Sequence, residues 1–375
     1  MNYSLYLVDN CNLNCNYCYE KNSHSSRILS FENIKKIIDY EVKSKSKIVV
    51  LTFYGGEPLL KKSLIYDISS YIKSLKSKTK FLFNMTTNGT LIDDEFVEFF
   101  KNNEFISLSI SIDGTPESQN KNRIMKNGEN SYNLVSENAK KLLIRPDVVV
   151  AVPVITKNNI KYICDNFKNL LIIGFKKINF QFDLTANWND NDLEIIKKEF
   201  ESISNIYMEK MRAEDEINLL VVDEKIRSYI DESIDCNNDC SVGIHGANVG
   251  TDGNIYPCMQ FMYKPEYVIG NCESGIDKNK QYTVHKMLKQ ELDECKECTL
   301  RRRCNHTCSC INYAYTGDGR KTAPFTCEIE RLMIKIADNI AEKMFFEKNP
   351  VFIQKFYNKN YNKIERLINK KKKGV

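Results

Sequence analysis

The segment Cys11-Asn-Leu-Asn-Cys15-Asn-Tyr-Cys18 puts three thiols within eight residues, directly after an apolar run that reads as a strand. Three thiolates on such a loop can hold three irons of a cubane cluster, leaving the fourth iron without a protein ligand. An open metal position marks a catalytic rather than a structural site. The same cysteines could instead form a zinc knuckle with a distant fourth ligand. Tyr17 and Tyr19 supply aromatic walls beside them. Further along, Gly55-Gly56-Glu57-Pro58 offers two glycines that let backbone approach a ligand and a glutamate that can pair with an ammonium group. Thr86-Thr87-Asn88-Gly89 and Ser109-Ile-Ser111-Ile-Asp113-Gly114 read as turns. Arg123 brings a guanidinium fork that matches a carboxylate at two points.

A second cysteine block begins at Cys236 and ends at Cys327, and it holds ten of the 14 cysteines. An even count raises the possibility of a disulfide framework. Against it, the first ten residues have no basic or long apolar stretch, so no secretory signal is expected, and no run is long enough to cross a bilayer. A chain of 375 residues can also bury its own core without staples. Thiols at repeated short spacings in a cytoplasmic protein therefore point to metal. The balance of 54 basic against 49 acidic residues leaves +5, too mild to argue for a nucleic-acid partner. The lysines at 370–373 read as a solvated tail.

The elements that must position these residues follow from periodicity. Strand-like runs cover Tyr3 to Val8, Lys47 to Phe53, Phe81 to Met85, Phe105 to Ile112, Val148 to Ile155 and Lys177 to Phe182. Helical patterns lie between them, giving repeated βα units and a mostly parallel sheet. Six such units predict an α/β fold, a partial (β/α)6 TIM-type barrel, with its chemistry at the C-terminal strand ends. The expected domains are the barrel over 1–185, a helical bridge over 186–235, a small cysteine-rich domain over 236–327, and C-terminal helices with a basic tail over 328–375.

The Cys-x3-Cys-x2-Cys motif with Tyr17 before its last cysteine resembles the radical S-adenosylmethionine superfamily, and the resemblance extends strand by strand. It implies that Cys11, Cys15 and Cys18 ligate a 4Fe-4S cluster. It also implies that Gly55, Gly56, Glu57 and Pro58 hold the amino group of S-adenosylmethionine. Asn88 joins them from its turn, Ser111 faces the ribose or carboxylate, Arg123 pairs with the carboxylate, and Leu184 packs on the adenine. The implied chemistry is reductive cleavage of the cofactor to a 5′-deoxyadenosyl radical that abstracts a substrate hydrogen. The C-terminal spacing, Cys240-x12-Gly253-x4-Cys258 then Cys295-x2-Cys298-x5-Cys304-x3-Cys308 and finally Cys327, resembles the seven-cysteine SPASM domain. By that resemblance, Cys295, Cys298, Cys304 and Cys327 hold an outer auxiliary cluster. Cys240, Cys258 and Cys308 hold an inner one, whose fourth iron either takes Cys236 as ligand or stays open to a substrate thiolate, making three 4Fe-4S clusters in all. Cys164 reads as a small core residue, Cys272 and Cys310 as non-ligands, and His245 and His306 as polar loop residues.

SPASM-bearing members mostly modify peptides. One subclass, the maturases of ribosomally made peptides, forms thioether or carbon–carbon crosslinks. The other, the anaerobic sulfatase-maturating enzymes, oxidises Ser or Cys to formylglycine and carries an Asp after the cysteine of the Gly-x4-Cys element. Met259 stands there in this chain, so crosslinking is the expectation and formylglycine formation the alternative. A three-cluster electron carrier without chemistry of its own is a third possibility, opposed by the cofactor-binding turns. The expected partners are a peptide or protein substrate and an external donor such as flavodoxin or ferredoxin. Because the first cluster motif begins at Cys11, a leader peptide is expected to be bound by a separate leader-peptide-binding protein, by the C-terminal helices, or hardly at all. The catalytic base is not identified.

Overall fold

The computed structural model describes residues 1–18, 26–236, 242–289, 292–305 and 308–357. The readings at Tyr19, Cys240, His306 and the lysine tail lie outside these residues. The chain opens with β1 (Asn2–Val8), the short β2 (Leu13–Cys15) and α1 (Phe31–Lys43). It continues through β3 (Ile48–Gly55), α2 (Lys62–Ser74), β4 (Lys80–Thr87), α3 (Asp94–Lys101), β5 (Phe105–Ile110), α4 (Pro116–Asn122), β6 (Arg123–Met125) and α5 (Tyr132–Leu142). Next come β7 (Val149–Ala151), β8 (Val154–Ile155), α6 (Ile163–Ile173), β9 (Lys177–Ile178), β10 (Gln181–Phe182), α7 (Asp190–Arg212), β11 (Asn218–Leu219) and α8 (Leu220–Ile230). The remainder is β12 (Gly246–Val249), β13 (Asn254–Tyr256), β14 (Gly270–Asn271), β15 (Gly275–Ile276), α9 (Lys278–Leu288), α10 (Ser309–Thr316), α11 (Pro324–Phe346) and α12 (Pro350–Tyr357).

Eight strands in the order β11-β9-β7-β5-β4-β3-β1-β12 run parallel, and β13, β14 and β15 extend the same sheet antiparallel. This is the partial barrel of a βα-repeat protein. Alternation places Val49, Leu51 and Phe53 of β3 in the core, in the same buried cluster as Ile34, Ile37 and Ile38 of α1. Each such side chain contributes about 1.5–3 kcal/mol by leaving water. Capping fixes the helix starts: Ser30 accepts from Asn33 N at 3.2 Å before α1, and Asp93 accepts from Phe96 N at 2.9 Å before α3.

The six expected strands are present, with two changes. Pro153 has no N–H to continue a ladder, so the fifth run splits into β7 and β8. The sixth splits likewise, and β8 pairs with β10 in a small sheet of its own. Moreover, β11 lies inside the segment read as a helical bridge, and β12 inside the cysteine-rich region. Both are too short to show a period. β12 pairs with β1, so the sheet runs across the boundary at residue 236 without a break.

Candidate active site

The loop carrying the first three cysteines is fixed at both ends by backbone. Val8 O accepts from Gly56 N at 2.8 Å and Asn10 O from Glu57 N at 3.0 Å. A Cβ on Gly55, whose φ is +122°, would sit 2.4 Å from Val8 O, and one on Gly56 would sit 2.3 Å from Asn10 O. These glycines therefore admit the protein's own backbone, a role different from the ligand approach expected of them. At the other end, β2 pairs with β6 and sets Cys15 opposite Arg123. Cys11, Cys15 and Cys18 are all half-buried. Cys11 Sγ accepts from Leu13 N at 3.4 Å and Asn88 Nδ2 at 3.6 Å. Burial and the nearby Glu57 push its thiol up to about 12, so a metal binding there displaces a firmly held proton.

Glu57 is fully buried. Its Oε1 accepts from Leu59 N at 3.0 Å and Thr87 Oγ1 at 2.7 Å, and its Oε2 from Asn88 N at 2.7 Å. The carboxylate thus ties the end of β3 to the end of β4. Desolvation pushes it up to about 7 although all three hydrogen bonds oppose the shift. Asn88 hydrogen-bonds Asn12 Oδ1 at 2.8 Å, and Asn12 Nδ2 reaches Thr90 Oγ1 at 2.8 Å, which locks the β4 turn onto the cysteine loop. Pro58 starts the short helical turn that Glu57 caps.

Arg123 was expected to present its fork to a ligand carboxylate. In the structure the fork is taken by Asp113: Nε and Nη2 both lie 3.0 Å from Oδ1, with the two side chains 5% and 0% exposed. Nη2 also donates to Val152 O at 3.2 Å. Tyr17 closes this unit, its ring 5.3 Å from the guanidinium and its hydroxyl 3.5 Å from Asp113. Asp113 further accepts from Val154 N at 3.0 Å and Asn122 Nδ2 at 3.4 Å, and so joins β5, α4, β6 and β8. Ser111 is half-buried just past β5, where its N–H donates to Thr87 O at 2.9 Å. Leu184 is half-buried in the turn after β10.

The structure therefore joins Cys11, Gly55, Gly56, Glu57 and Asn88 in one network, and Cys15, Tyr17 and Arg123 in a second on the same loop. Sequence reasoning missed the roles of Asp113 and Asp9. Asp113 sat in a quoted motif but was read as part of a turn. Asp9, buried just ahead of Cys11, pairs with Arg27 at 3.0 Å and accepts from Thr251 Oγ1 at 3.0 Å and from the Tyr263 hydroxyl. Its partners are distant in sequence, so no local pattern could have found it.

In the C-terminal half, Cys295, Cys298, Cys304 and Cys327 line one cavity of about 70 Å³, closed by Leu300, Ile334, Glu330 and Arg331. Glu330 is held by Lys225 at 2.8 Å and by Asn305 N at 2.8 Å. Cys258 occupies the N-cap position of the helical turn Met259–Phe261, and Cys308 that of α10. Cys310 is buried in the first turn of α10. Cys236 is buried, and Cys164 packs in the core on α6.

The Radical SAM superfamily description matches residues 5–188. These residues are a radical SAM domain. A domain of this kind implies a 4Fe-4S cluster and S-adenosylmethionine. Similarity continues well beyond it. The chain is 25% identical over 359 residues to the serine-type anaerobic sulfatase-maturating enzyme of Bacteroides thetaiotaomicron, spanning 85% of this chain and 84% of that one. It is 26% identical over 332 residues to the cysteine-type enzyme of Clostridium novyi, spanning 80% and 85%. The solved structure of native anSMEcpe with bound AdoMet and Kp18Cys peptide shares the fold, with a TM-score of 0.78 over 92% of this chain and 100% of that one, at 21% identity. The chain is a radical SAM enzyme that is similar over most of its length to the anaerobic sulfatase-maturating enzymes. Among the described residues, no helix is long and apolar enough to cross a membrane.

Proposed function

We propose that this radical SAM enzyme oxidises a Ser or Cys side chain of a peptide or protein substrate to formylglycine. The observation that carries the reading is the cavity ringed by Cys295, Cys298, Cys304 and Cys327, in the half of the chain beyond the radical SAM domain. Four thiols converging from separate turns, with a single cavity between them, fit an auxiliary iron–sulfur cluster. The similarity to both serine-type and cysteine-type maturases spans this region as well.

In this reading Cys11, Cys15 and Cys18 hold the first cluster, Cys295, Cys298, Cys304 and Cys327 the outer auxiliary cluster, and Cys236, Cys240, Cys258 and Cys308 the inner one. Bound there with S-adenosylmethionine, the first cluster supplies a carbon-centred radical that removes a substrate hydrogen. Tyr17, Gly55, Gly56, Glu57, Pro58, Asn88, Ser111, Arg123 and Leu184 form the cofactor rim. Within it Glu57 and Arg123 are positioning residues, because their charges are already engaged by the protein. Auxiliary clusters held at these sites would accept the electron left on the substrate once the hydrogen atom has been removed, and an external donor such as flavodoxin or ferredoxin, in the cytoplasm, would supply the separate electron used to cleave S-adenosylmethionine.

Met259, at the position where the maturase resemblance implies an Asp, favours a second reading: a thioether or carbon–carbon crosslink. Anaerobic incubation with reductant, S-adenosylmethionine and a Cys- or Ser-containing peptide separates the two. An aldehyde product trapped by a hydrazine reagent supports formylglycine formation. A product lighter by two hydrogens and resistant to alkylation at its cysteine refutes it in favour of crosslinking.

A further inference from the structure

The turn that follows β10 is held from outside the radical SAM domain. Trp188 Nε1 donates to Asp183 O at 3.0 Å, and the Tyr315 hydroxyl donates to the same oxygen at 3.2 Å. A carbonyl oxygen has two lone pairs, so these two donors saturate it. Asp183 N donates in turn to Ile155 O at 2.9 Å, and Asp183 Oδ1 accepts from Thr185 N at 2.8 Å. Leu184 lies between these fixed points. Burial raises the Tyr315 hydroxyl above the ordinary tyrosine value, which keeps its proton in place for donation.

Rings close the same corner. Trp188 stacks on Phe325, with centroids 4.8 Å apart and planes 7° from parallel. Phe182 meets both edge-on, at 5.6 Å from Phe325 and 6.2 Å from Trp188, and Tyr315 lies 6.2 Å from Phe325. Tyr315 stands on α10 and Phe325 in the first turn of α11, both beyond residues 5–188. Tyr313, two positions earlier on α10, turns its ring to Phe261 at 5.2 Å and Tyr267 at 6.4 Å. One helix thus serves two separate aromatic groups, and Tyr315 is its contact with the Asp183 turn.

We propose that Tyr315 is a positioning residue for the adenine end of S-adenosylmethionine, its hydroxyl fixing the turn that carries Leu184. It acts through Asp183 O, so it governs cofactor affinity and leaves the chemical step alone. The cofactor site of this chain is then completed by a side chain from the cysteine-rich half. This inference rests on the reading above that Leu184 belongs to the cofactor rim, and the experiment keeps the two apart.

Wild-type, Tyr315→Phe, Tyr313→Phe and Leu184→Ala full-length chains are reconstituted anaerobically with iron and sulfide. Affinity for S-adenosylmethionine is read by equilibrium dialysis, and its KM and kcat from 5′-deoxyadenosine release. Phenylalanine keeps a ring against Phe325 and removes only the donor. Losing one neutral hydrogen bond should weaken cofactor binding about two- to tenfold. KM should rise by the same factor while kcat and iron content stay at the wild-type values. Tyr313→Phe should match wild type. Leu184→Ala with unchanged affinity overturns the placement of Leu184 on the rim and this inference with it. Where Leu184→Ala does weaken binding, a Tyr315→Phe chain with wild-type affinity and KM overturns the role of Tyr315 and leaves the rim in place. Equal weakening in Tyr315→Phe and Tyr313→Phe, or a fall in kcat at unchanged KM, marks a general packing defect and overturns it as well.

Discussion

Replacing Arg123 tests whether its fork serves the protein or a ligand. The pair with Asp113 is almost wholly buried, and Asp113 also holds Val154 N and Asn122 Nδ2. Arg123→Ala strands the Asp113 carboxylate in the interior, and losing one partner of a buried pair costs about 3–5 kcal/mol. That loss should appear as a lower urea midpoint in equilibrium unfolding of the anaerobic protein. Asp113→Asn keeps an accepting oxygen but strands the guanidinium instead. The double variant should therefore be more stable than the sum of the singles, by a coupling within the ~0.5–3 kcal/mol seen for contacting residues. Two results would refute the reasoning. One is a stability loss below about 1 kcal/mol, the scale of an exposed pair, accompanied by a drop in S-adenosylmethionine affinity. The other is strict additivity of the two substitutions.

Burial holds Glu57 at about 7 against an unfolded value of 4.5, so between these values the folded state keeps a proton that the unfolded chain has released. Stability should therefore fall as pH rises from 4.5 to about 7, and Glu57→Gln should flatten that slope; an unchanged slope in thermal melts would show that Glu57 is not the group responsible. Gly56→Ala places a methyl 2.3 Å from Asn10 O and should cost at least the ~1–3 kcal/mol of an overpacked site, and a melting temperature equal to wild type would contradict the close approach. Joint replacement of Cys11, Cys15 and Cys18 by Ala should remove about four of about twelve irons and abolish cofactor cleavage, whereas zinc as the main metal of anaerobically purified protein would sink the assignment. Cys327→Ala should lose iron from the outer cavity yet leave cleavage of S-adenosylmethionine without peptide intact, as judged by 5′-deoxyadenosine release.

The parts of the fold that sequence reveals are those with a period. β3 and β4 alternate over most of eight residues, β1 is a run of apolar residues, and the amphipathic helices between the strands bury one face. β11 and β12 have two and four residues, too few for alternation, and exist because β9 and β1 offer open backbone edges. Cysteine spacing is legible because short separations in the chain keep thiols near one another, and Cys295, Cys298, Cys304 and Cys327 line one cavity. Charge roles were less so. A motif gives residue types but not partners, so Arg123 and Glu57 read as groups waiting for a ligand although Asp113, Thr87 and Asn88 engage them.

β1 is held on one side by β3 and on the other by β12, with Asn2 facing Gly246 and Leu5 facing Val249. During synthesis the first of these neighbours leaves the ribosome early, whereas the second emerges only after some two-thirds of the chain has been made. Until then one edge of β1 is bare, and the Asp9 carboxylate at its end lacks Thr251 and Tyr263. The cysteine loop rooted on that strand therefore reaches its final form only once the distant segment has docked. A chain truncated before residue 246 should therefore keep that edge open and aggregate through it.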